Sequence, residues 1–331
     1  MLAGILFALG AGLMWGLIFV GPLLVPDYPG TLQSMGRYLA FGLIALPLAW
    51  QDRQRLRGLT GNDWREAFKL TLVGNLLYYA FLATAIQRTG APVSTMIIGT
   101  LPVVIAVCAN LFYGGDEGRL SWRSLAPALL LIVCGLICVN VAEIHGAGQR
   151  LDPWRYFSGI ALALAAVICW TWYPLRNARW LRQHPTLRPG TWATAQGLVT
   201  LPLALLGYLL VMGQLHLTQP AFTLPFTLPF GPRPGVFIAL MLTIGLLCSW
   251  LGTLCWNEAS QRLPAVLLGP LIVFETLAGL AYTFALRQAW PPLLTFFGIF
   301  CLICGVVVAM RIKPQSRIVP LNESMPDSTP H

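Results

Sequence analysis

Residues 4–15 read GILFALGAGLMW and residues 159–170 read GIALALAAVICW, so glycine and tryptophan recur at the same positions of two apolar segments. Two further matches follow in the same order: AIQRTGA (85–91) with ASQRLPA (259–265), and IVCG (132–135) with LICG (302–305). Each half of the chain therefore holds five apolar runs. Because five is odd, the second half must enter a membrane in the opposite orientation. Such an inverted repeat is a signature of secondary transporters.

The composition excludes a soluble or a disordered chain. Of the 331 residues, 56% are hydrophobic and only 10% are charged, whereas a soluble domain carries about 25% charged residues. Disorder requires low hydrophobicity, and the mean hydropathy here is +0.69. A helix needs about 20 apolar residues to cross a bilayer. We predict an all-α membrane protein with ten transmembrane helices as two inverted five-helix repeats, at roughly 2–21, 31–50, 67–87, 92–113, 124–142, 157–175, 191–213, 235–257, 264–286 and 291–310.

The basic residues predict the orientation of the chain. With a cytoplasmic N-terminus, fifteen of the 21 lysine and arginine residues fall on the inside and six on the outside. The positive-inside rule then places both termini in the cytoplasm of a protein of the inner membrane. Lipid headgroups account for the net charge of +9, so we expect membrane lipids and no nucleic acid as partners.

This orientation divides the chain into segments. We predict a first repeat at 1–142, an extracytoplasmic connection at 143–156, a second repeat at 157–312 and a disordered cytoplasmic tail at 313–331. A further outer segment at 214–234 contains five prolines. Because proline interrupts a helix, this segment predicts an irregular loop.

Four motifs carry a resemblance to a known family: MWG (14–16), RYLAFGLIAL (37–46), TLPVV (100–104) and QRLPAVLLGPLIVFE (261–275). Their order resembles that of the EamA family of the drug/metabolite transporter superfamily, over residues 1–312. The resemblance implies two inverted five-helix repeats around a central cavity and, usually, export of amino acids or other small metabolites. The chain departs from the family pattern at LRQAW (286–290), where an acidic motif like DEGRL (116–120) is common, and at Glu275-Thr276, where many members have Glu-Pro.

Two charged residues lie deep in apolar runs, where charges are costly and often functional. Glu275 lies near the middle of the ninth run. It is either a proton-responsive group and acceptor for a substrate ammonium, or a structural carboxylate. Arg37 lies about six residues into the second run. Its guanidinium either receives a substrate carboxylate, or reaches the interface or braces an outer gate.

Aromatic and amide residues share helix faces at spacings of three and four. Asn75, Tyr78 and Tyr79 form one such face, and Trp250 and Asn257 belong to another; interface belts also use such aromatic rings. We predict that substrate contacts Trp15, Asn75, Tyr78, Tyr79, Trp170, Tyr173, Trp250, Asn257 and Glu275. We predict that gating or coupling involves Arg37, Glu258, Glu275, Pro102 and Pro270.

These features predict a secondary transporter that exports amino acids or similar small metabolites by alternating access. We expect a small-molecule substrate as its partner, and we expect it to function as a monomer. No GxxxxGK[ST] stretch is present, so ATP use is not expected. The alternatives are a drug or other-metabolite exporter of the same fold, a membrane scaffold, or a membrane enzyme acting on a lipid-linked substrate. An enzyme would need clustered His, Asp or Glu, and the four histidines are scattered. We therefore expect no enzyme activity, metal or cofactor.

Overall fold

The computed structural model describes residues 1–19, 21–89, 94, 97–112, 121–144, 153–218, 229–288 and 290–312. Across these ranges the regular structure is helical and no strand occurs. In chain order the long helices are α1 (Leu2–Gly16), α2 (Gly30–Gln51), α3 (Gly61–Thr71, the π-helical Leu72–Leu77 and Tyr78–Thr89), α4 (Leu101–Phe112), α5 (Trp122–Ile144), α6 (Pro153–Gln183), α7 (Pro189–Thr218), α8 (Pro234–Ile244, the π-helical Gly245–Leu251 and Gly252–Arg262), α9 (Ala265–Arg287) and α10 (Leu293–Met310).

Seven helices within the described ranges are long and apolar enough to cross a membrane: α3 and α5 to α10. The helices α1 and α4 are apolar but shorter. An all-α membrane protein is therefore confirmed. Helices overlie all ten predicted runs, while the number of spans and the inverted repeat stay predictions.

Helix starts follow from local chemistry. α3 begins with a capping box, in which the Thr60 backbone N–H donates to the Asp63 carboxylate at 2.7 Å and Thr60 Oγ1 accepts from the Asp63 N–H at 3.3 Å. Prolines 153, 189 and 234 begin α6, α7 and α8. Proline suits this position because its missing N–H has no partner there in any helix.

Several helices extend beyond their predicted runs, and α6 and α7 illustrate this. α6 includes polar residues at both of its ends, and α7 continues to Thr218 although the prolines predict a loop from residue 214. The first of those prolines is Pro220, two residues after the end of α7, and no proline lies between residues 203 and 219 to interrupt its last turns. The predicted tail, most of the predicted connection and residues 219–228 of the predicted loop lie outside the described residues.

The helices pack in pairs that relate the two halves of the chain. α1 lies against α8 and α9, and α6 lies against α3 and α4. The other close pairs are α2 with α7, α4 with α9 and α5 with α10, each helix against its counterpart in the other half. This packing brings α1, α3, α6, α8 and α9 together in the middle of the bundle.

Candidate functional site

Aromatic rings from four helices meet in the middle of the bundle. Trp15 of α1 lies 5.8 Å from Trp170 of α6 and 5.2 Å from Trp256 of α8, between ring centroids. Trp170 also makes edge-to-face contacts with Tyr78 of α3 at 5.8 Å and with Tyr173 at 5.5 Å. We call these five residues the aromatic cluster. The structure thus brings together four predicted substrate residues and adds Trp256.

Two π-helical segments border the aromatic cluster. Leu72–Leu77 in α3 and Gly245–Leu251 in α8 each end eight residues before the matched runs AIQRTGA and ASQRLPA. A π-helical turn disturbs the regular backbone hydrogen bonds and often marks a functional site. In α8 the Cys248 carbonyl accepts a hydrogen bond from Trp15 Nε1 at 2.9 Å. The π segment therefore anchors one ring of the cluster.

Glycine allows the rings to approach these segments. A Cβ atom on Gly74 would clash with the ring of Tyr173, and one on Gly252 would lie 2.7 Å from Trp15 Nε1. Both distances are shorter than van der Waals contact, so a larger residue would displace the rings. The close contact places α6 directly on the π segment of α3, and α1 at the end of the π segment of α8.

Two opposite charges lie within electrostatic range of the aromatic cluster. Arg37 of α2 and Glu275 of α9 interact electrostatically with each other, and both act on Tyr78 and Cys248. In the described part of the chain neither charge enters an ion pair. Both side chains are half-buried. They are therefore available to a polar ligand.

The Arg37 side chain is held by stacking. Its guanidinium carbon lies 4.4 Å from the centroid of the Tyr38 ring, a cation–π contact. The Arg37 Nε atom is buried and has no hydrogen-bond partner among the described residues. A buried donor without a partner is costly, so it marks a place where a ligand acceptor would be stabilising.

Asn257 takes part in a buried hydrogen-bond network. Its Oδ1 accepts from Asn177 Nδ2 at 2.8 Å, and its Nδ2 donates to a backbone carbonyl at the start of α7 at 3.3 Å. Asn177 Oδ1 accepts from Trp192 at 2.8 Å and from Gln196 at 3.1 Å, and Gln196 Oε1 accepts from the Tyr173 hydroxyl at 3.1 Å. The amide oxygen and the amide nitrogen of Asn257 are thus both hydrogen-bonded within the protein, and its contact with substrate stays a prediction.

Three other predicted residues lie on the π-bearing helices α3 and α8. Asn75 is half-buried within the π segment of α3. The Tyr79 hydroxyl donates to the Gly30 carbonyl at the start of α2, and Trp250 Nε1 donates to Thr194 Oγ1 of α7 at 3.1 Å. Tyr79 and Trp250 therefore tie α3 and α8 to neighbouring helices.

Besides Arg37 and Glu275, the predicted gating residues fall into two groups. Glu258 forms an ion pair with Arg262 one helical turn later, at the end of α8. Pro102 and Pro270 are buried where α4 crosses α9. A Cβ atom on Gly269 would lie 2.6 Å from the Pro102 carbonyl oxygen, so the two helices touch beside the prolines. Their gating role stays a prediction.

An ion pair that the sequence patterns do not indicate joins α3 to α6. The carboxylate of Glu66 accepts hydrogen bonds from Nε and Nη2 of Arg176, the latter at 3.1 Å, and Lys69 Nζ lies 3.7 Å away. The Glu66 side chain is 2% exposed and that of Arg176 is 35% exposed. The apolar run predicted for α3 begins at residue 67, and the run predicted for α6 ends at residue 175. Glu66 and Arg176 therefore fall just outside these runs.

Comparison with known proteins agrees with this architecture. The model of the EamA-like transporter family matches residues 2–141. The inner membrane protein YtfF of Escherichia coli is 62% identical over 328 residues, which cover 99% of this chain and 100% of that protein. A WAT1-related chloroplastic protein of Arabidopsis thaliana is 29% identical over 119 residues, or 36% of this chain and 27% of that protein.

A solved crystal structure has the same fold. It superposes with a TM-score of 0.70 at 16% identity, covering 92% of this chain and 96% of that one. The family match in the first half and the high identity to YtfF over nearly the whole length confirm the resemblance that the motifs carry. The chain belongs to the EamA-like transporter family.

Proposed function

We propose that this protein is a secondary transporter of the inner membrane that exports amino acids or similar small metabolites by alternating access. Membership of a transporter family and similarity to an inner membrane protein of Escherichia coli support the transport and the location. The amino-acid assignment is carried by one observation: Arg37 and Glu275 are opposite charges within electrostatic range of each other and of Tyr78 in the aromatic cluster, and neither enters an ion pair among the described residues.

An amino acid complements this arrangement. Its carboxylate fits the planar fork of Arg37, including the buried Nε donor that has no partner in the described chain. Its ammonium group fits the carboxylate of Glu275. An apolar or aromatic side chain would pack against the rings of the aromatic cluster.

The inverted repeat is supported by contacts between matched residues. Gly135 and Gly305 close the matched stretches IVCG and LICG. A Cβ atom on Gly135 would lie 2.7 Å from Leu302, and one on Gly305 would lie 2.7 Å from Ile132, the residue that corresponds to Leu302. This reciprocity is what a two-fold relation between repeats produces. Two five-helix repeats, with both termini in the cytoplasm, are therefore our proposed architecture.

Alternating access requires a seal that opens. The Glu66–Arg176 pair joins the N-terminal end of α3 to the C-terminal end of α6. Both of these ends are cytoplasmic in the proposed orientation. Rocking of one repeat against the other would open this contact and expose the site to the cytoplasm. Either protons acting through Glu275 or the substrate gradient itself would drive transport.

The proposal is tested by counterflow in proteoliposomes. The panel pairs each of several amino acids with its amide, which lacks the carboxylate, and with its deaminated acid, which lacks the ammonium group. We expect the wild type to prefer the amino acid to both analogues by at least about tenfold, because each lost charged hydrogen bond costs about 1.5–3 kcal/mol. Arg37→Gln should abolish discrimination against the amide, and Glu275→Gln should abolish discrimination against the acid.

Two matched variants control for the loss of charge. Arg55→Gln and Asp27→Asn each remove one charge from an exposed ion pair outside the candidate site, and we expect both to keep the wild-type preference. Transport of another metabolite in preference to every amino acid would refute the amino-acid assignment and favour a drug or other-metabolite exporter. Running the assay at two pH gradients tests coupling: if Glu275→Gln leaves proton-driven transport intact, Glu275 is not the coupling group.

A further inference from the structure

An open crevice lies between the last turns of α3 and the first turns of α6. Its volume is about 580 Å³, and Thr84, Arg88, Trp154, Phe157 and Ser158 contribute to its walls. None of these residues belongs to the aromatic cluster, and neither Arg37 nor Glu275 is among them. We call this space the interfacial crevice.

One end of the interfacial crevice is polar and cationic. Arg88 and Arg155 both line this end. Arg88 Nη1 donates to Ser158 Oγ at 2.8 Å, and the Ser158 hydroxyl in turn donates to the Arg155 carbonyl at 3.0 Å. The serine therefore orients the Arg88 guanidinium. A guanidinium has five N–H donors in a planar fork, and this geometry matches the oxygens of a phosphate.

The other end of the interfacial crevice is apolar. Phe157, Ala161 and Leu162 line it: Ala161 lies one helical turn after Phe157, and Leu162 lies one turn after Ser158. From Trp154 to Leu162 the helix rises about 12 Å, which is most of the depth of about 15 Å that one leaflet's acyl chains occupy. Trp154 is 79% exposed and Phe157 is 65% exposed. Exposed aromatic residues at a helix end are typical of the membrane interface.

We propose that the interfacial crevice binds one anionic phospholipid, with the phosphodiester between Arg88 and Arg155 and an acyl chain along Phe157, Ala161 and Leu162. The amphipathic shape of the crevice carries this inference, since a cationic end at the membrane surface continues into an apolar groove. Two arginines favour a headgroup with a net negative charge over a zwitterionic one. The lipid would bridge α3 and α6, and the binding does not depend on what the protein transports.

The test is native mass spectrometry of the purified full chain in detergent with added phosphatidylglycerol or phosphatidylcholine. We expect one phosphatidylglycerol per chain to be retained at least about tenfold more tightly than phosphatidylcholine, because two arginines attract the net negative charge of its headgroup. Arg88→Gln should reduce phosphatidylglycerol binding about tenfold. Ala161→Trp, which fills the apolar end and leaves both arginines in place, should reduce it as well.

The control is Arg311→Gln, which removes one positive charge at the end of α10, outside the crevice. It should bind phosphatidylglycerol like the wild type, and size-exclusion profiles should show that every variant is folded. Equal retention of the two lipids, or unchanged binding by Arg88→Gln, would overturn the proposal. Inorganic phosphate at millimolar concentration should not displace the lipid; full displacement would show a simple phosphate site and exclude the lipid.

Discussion

Beside the candidate site, the Tyr173 ring packs directly on the backbone of Gly74, whose side chain is a single hydrogen atom. Gly74 lies under the Tyr173 ring, and any side chain there would overlap the ring. We predict that Gly74→Ala lowers the free energy of unfolding by about 1–3 kcal/mol, because overpacking forces the ring or the helix to shift. The variant should also lose transport, since Tyr173 contacts Trp170 in the aromatic cluster. Unfolding by titration with SDS and counterflow measure the two effects.

The matched control is Gly213→Ala in α7. A Cβ atom at Gly213 would meet nothing within 4 Å. Alanine is favoured over glycine in a helix, so the expected change is neutral or a gain of up to about 1 kcal/mol. If both alanine variants behave alike, the Gly74–Tyr173 contact does not limit packing.

At the same scale, repetition in the sequence predicts some neighbours and not others. Trp15 and Trp170 occupy matched positions, and the structure places them in ring contact. Periodicity places Asn257 on the same face of α8 as Trp250 but does not indicate its hydrogen-bond partner Asn177, 80 residues earlier in the chain. Helical spacing identifies the face of one helix; it carries no information about which distant side chain will lie opposite.

At the scale of helices, the Glu66–Arg176 pair joins α3 to α6. We predict a coupling free energy of about 1–3 kcal/mol between Glu66→Gln and Arg176→Gln in a double-mutant cycle. Glu66 is almost completely buried, so losing either partner leaves a poorly solvated charge or amide. The partial exposure of Arg176 keeps the value below that of a fully buried pair. Unfolding titrations of the four proteins give the coupling.

The comparison pair for this cycle is Glu258 with Arg262. Both side chains are more exposed than Glu66 and lie on one helix turn, so their coupling should be at most about 0.5 kcal/mol. A coupling at Glu66–Arg176 no larger than this would show that the pair does not hold α3 against α6.

The helix ends also show where hydropathy stops being informative. The apolar runs predict the existence of the helices, because burying apolar side chains in lipid dominates their energetics. α6 nevertheless continues through Arg176 to Gln183. Charged residues that pair with a neighbouring helix extend a helix beyond its apolar run, and a single apolar run cannot reveal a partner such as Glu66.

At the scale of the molecule, the parity of the spans decides which side of the membrane the C-terminus occupies. Within the described part of the chain, seven helices are long and apolar enough to span, and α1 and α4 are shorter. An odd number of spans would place the two termini on opposite sides, whereas ten spans place both on one side. Fifteen of the 21 basic residues fall on the cytoplasmic side of the ten-span arrangement, which selects a cytoplasmic N-terminus.

We therefore predict the outcome of reporter fusions in bacterial cells. Alkaline phosphatase, which is active only outside the cytoplasm, should be active when fused after residue 148 and inactive when fused after Gln183 or His331. A green fluorescent protein fused after His331 should fluoresce, because it folds in the cytoplasm. The fusion after Gln183 serves as the internal reference, since α6 returns the chain to the cytoplasm under this arrangement. Active phosphatase at residue 331 with inactive phosphatase at Gln183 would require an odd number of spans after α6. That result would remove the inverted repeat, because five helices in each half leave four spans after α6 and place Gln183 and the C-terminus on the same side.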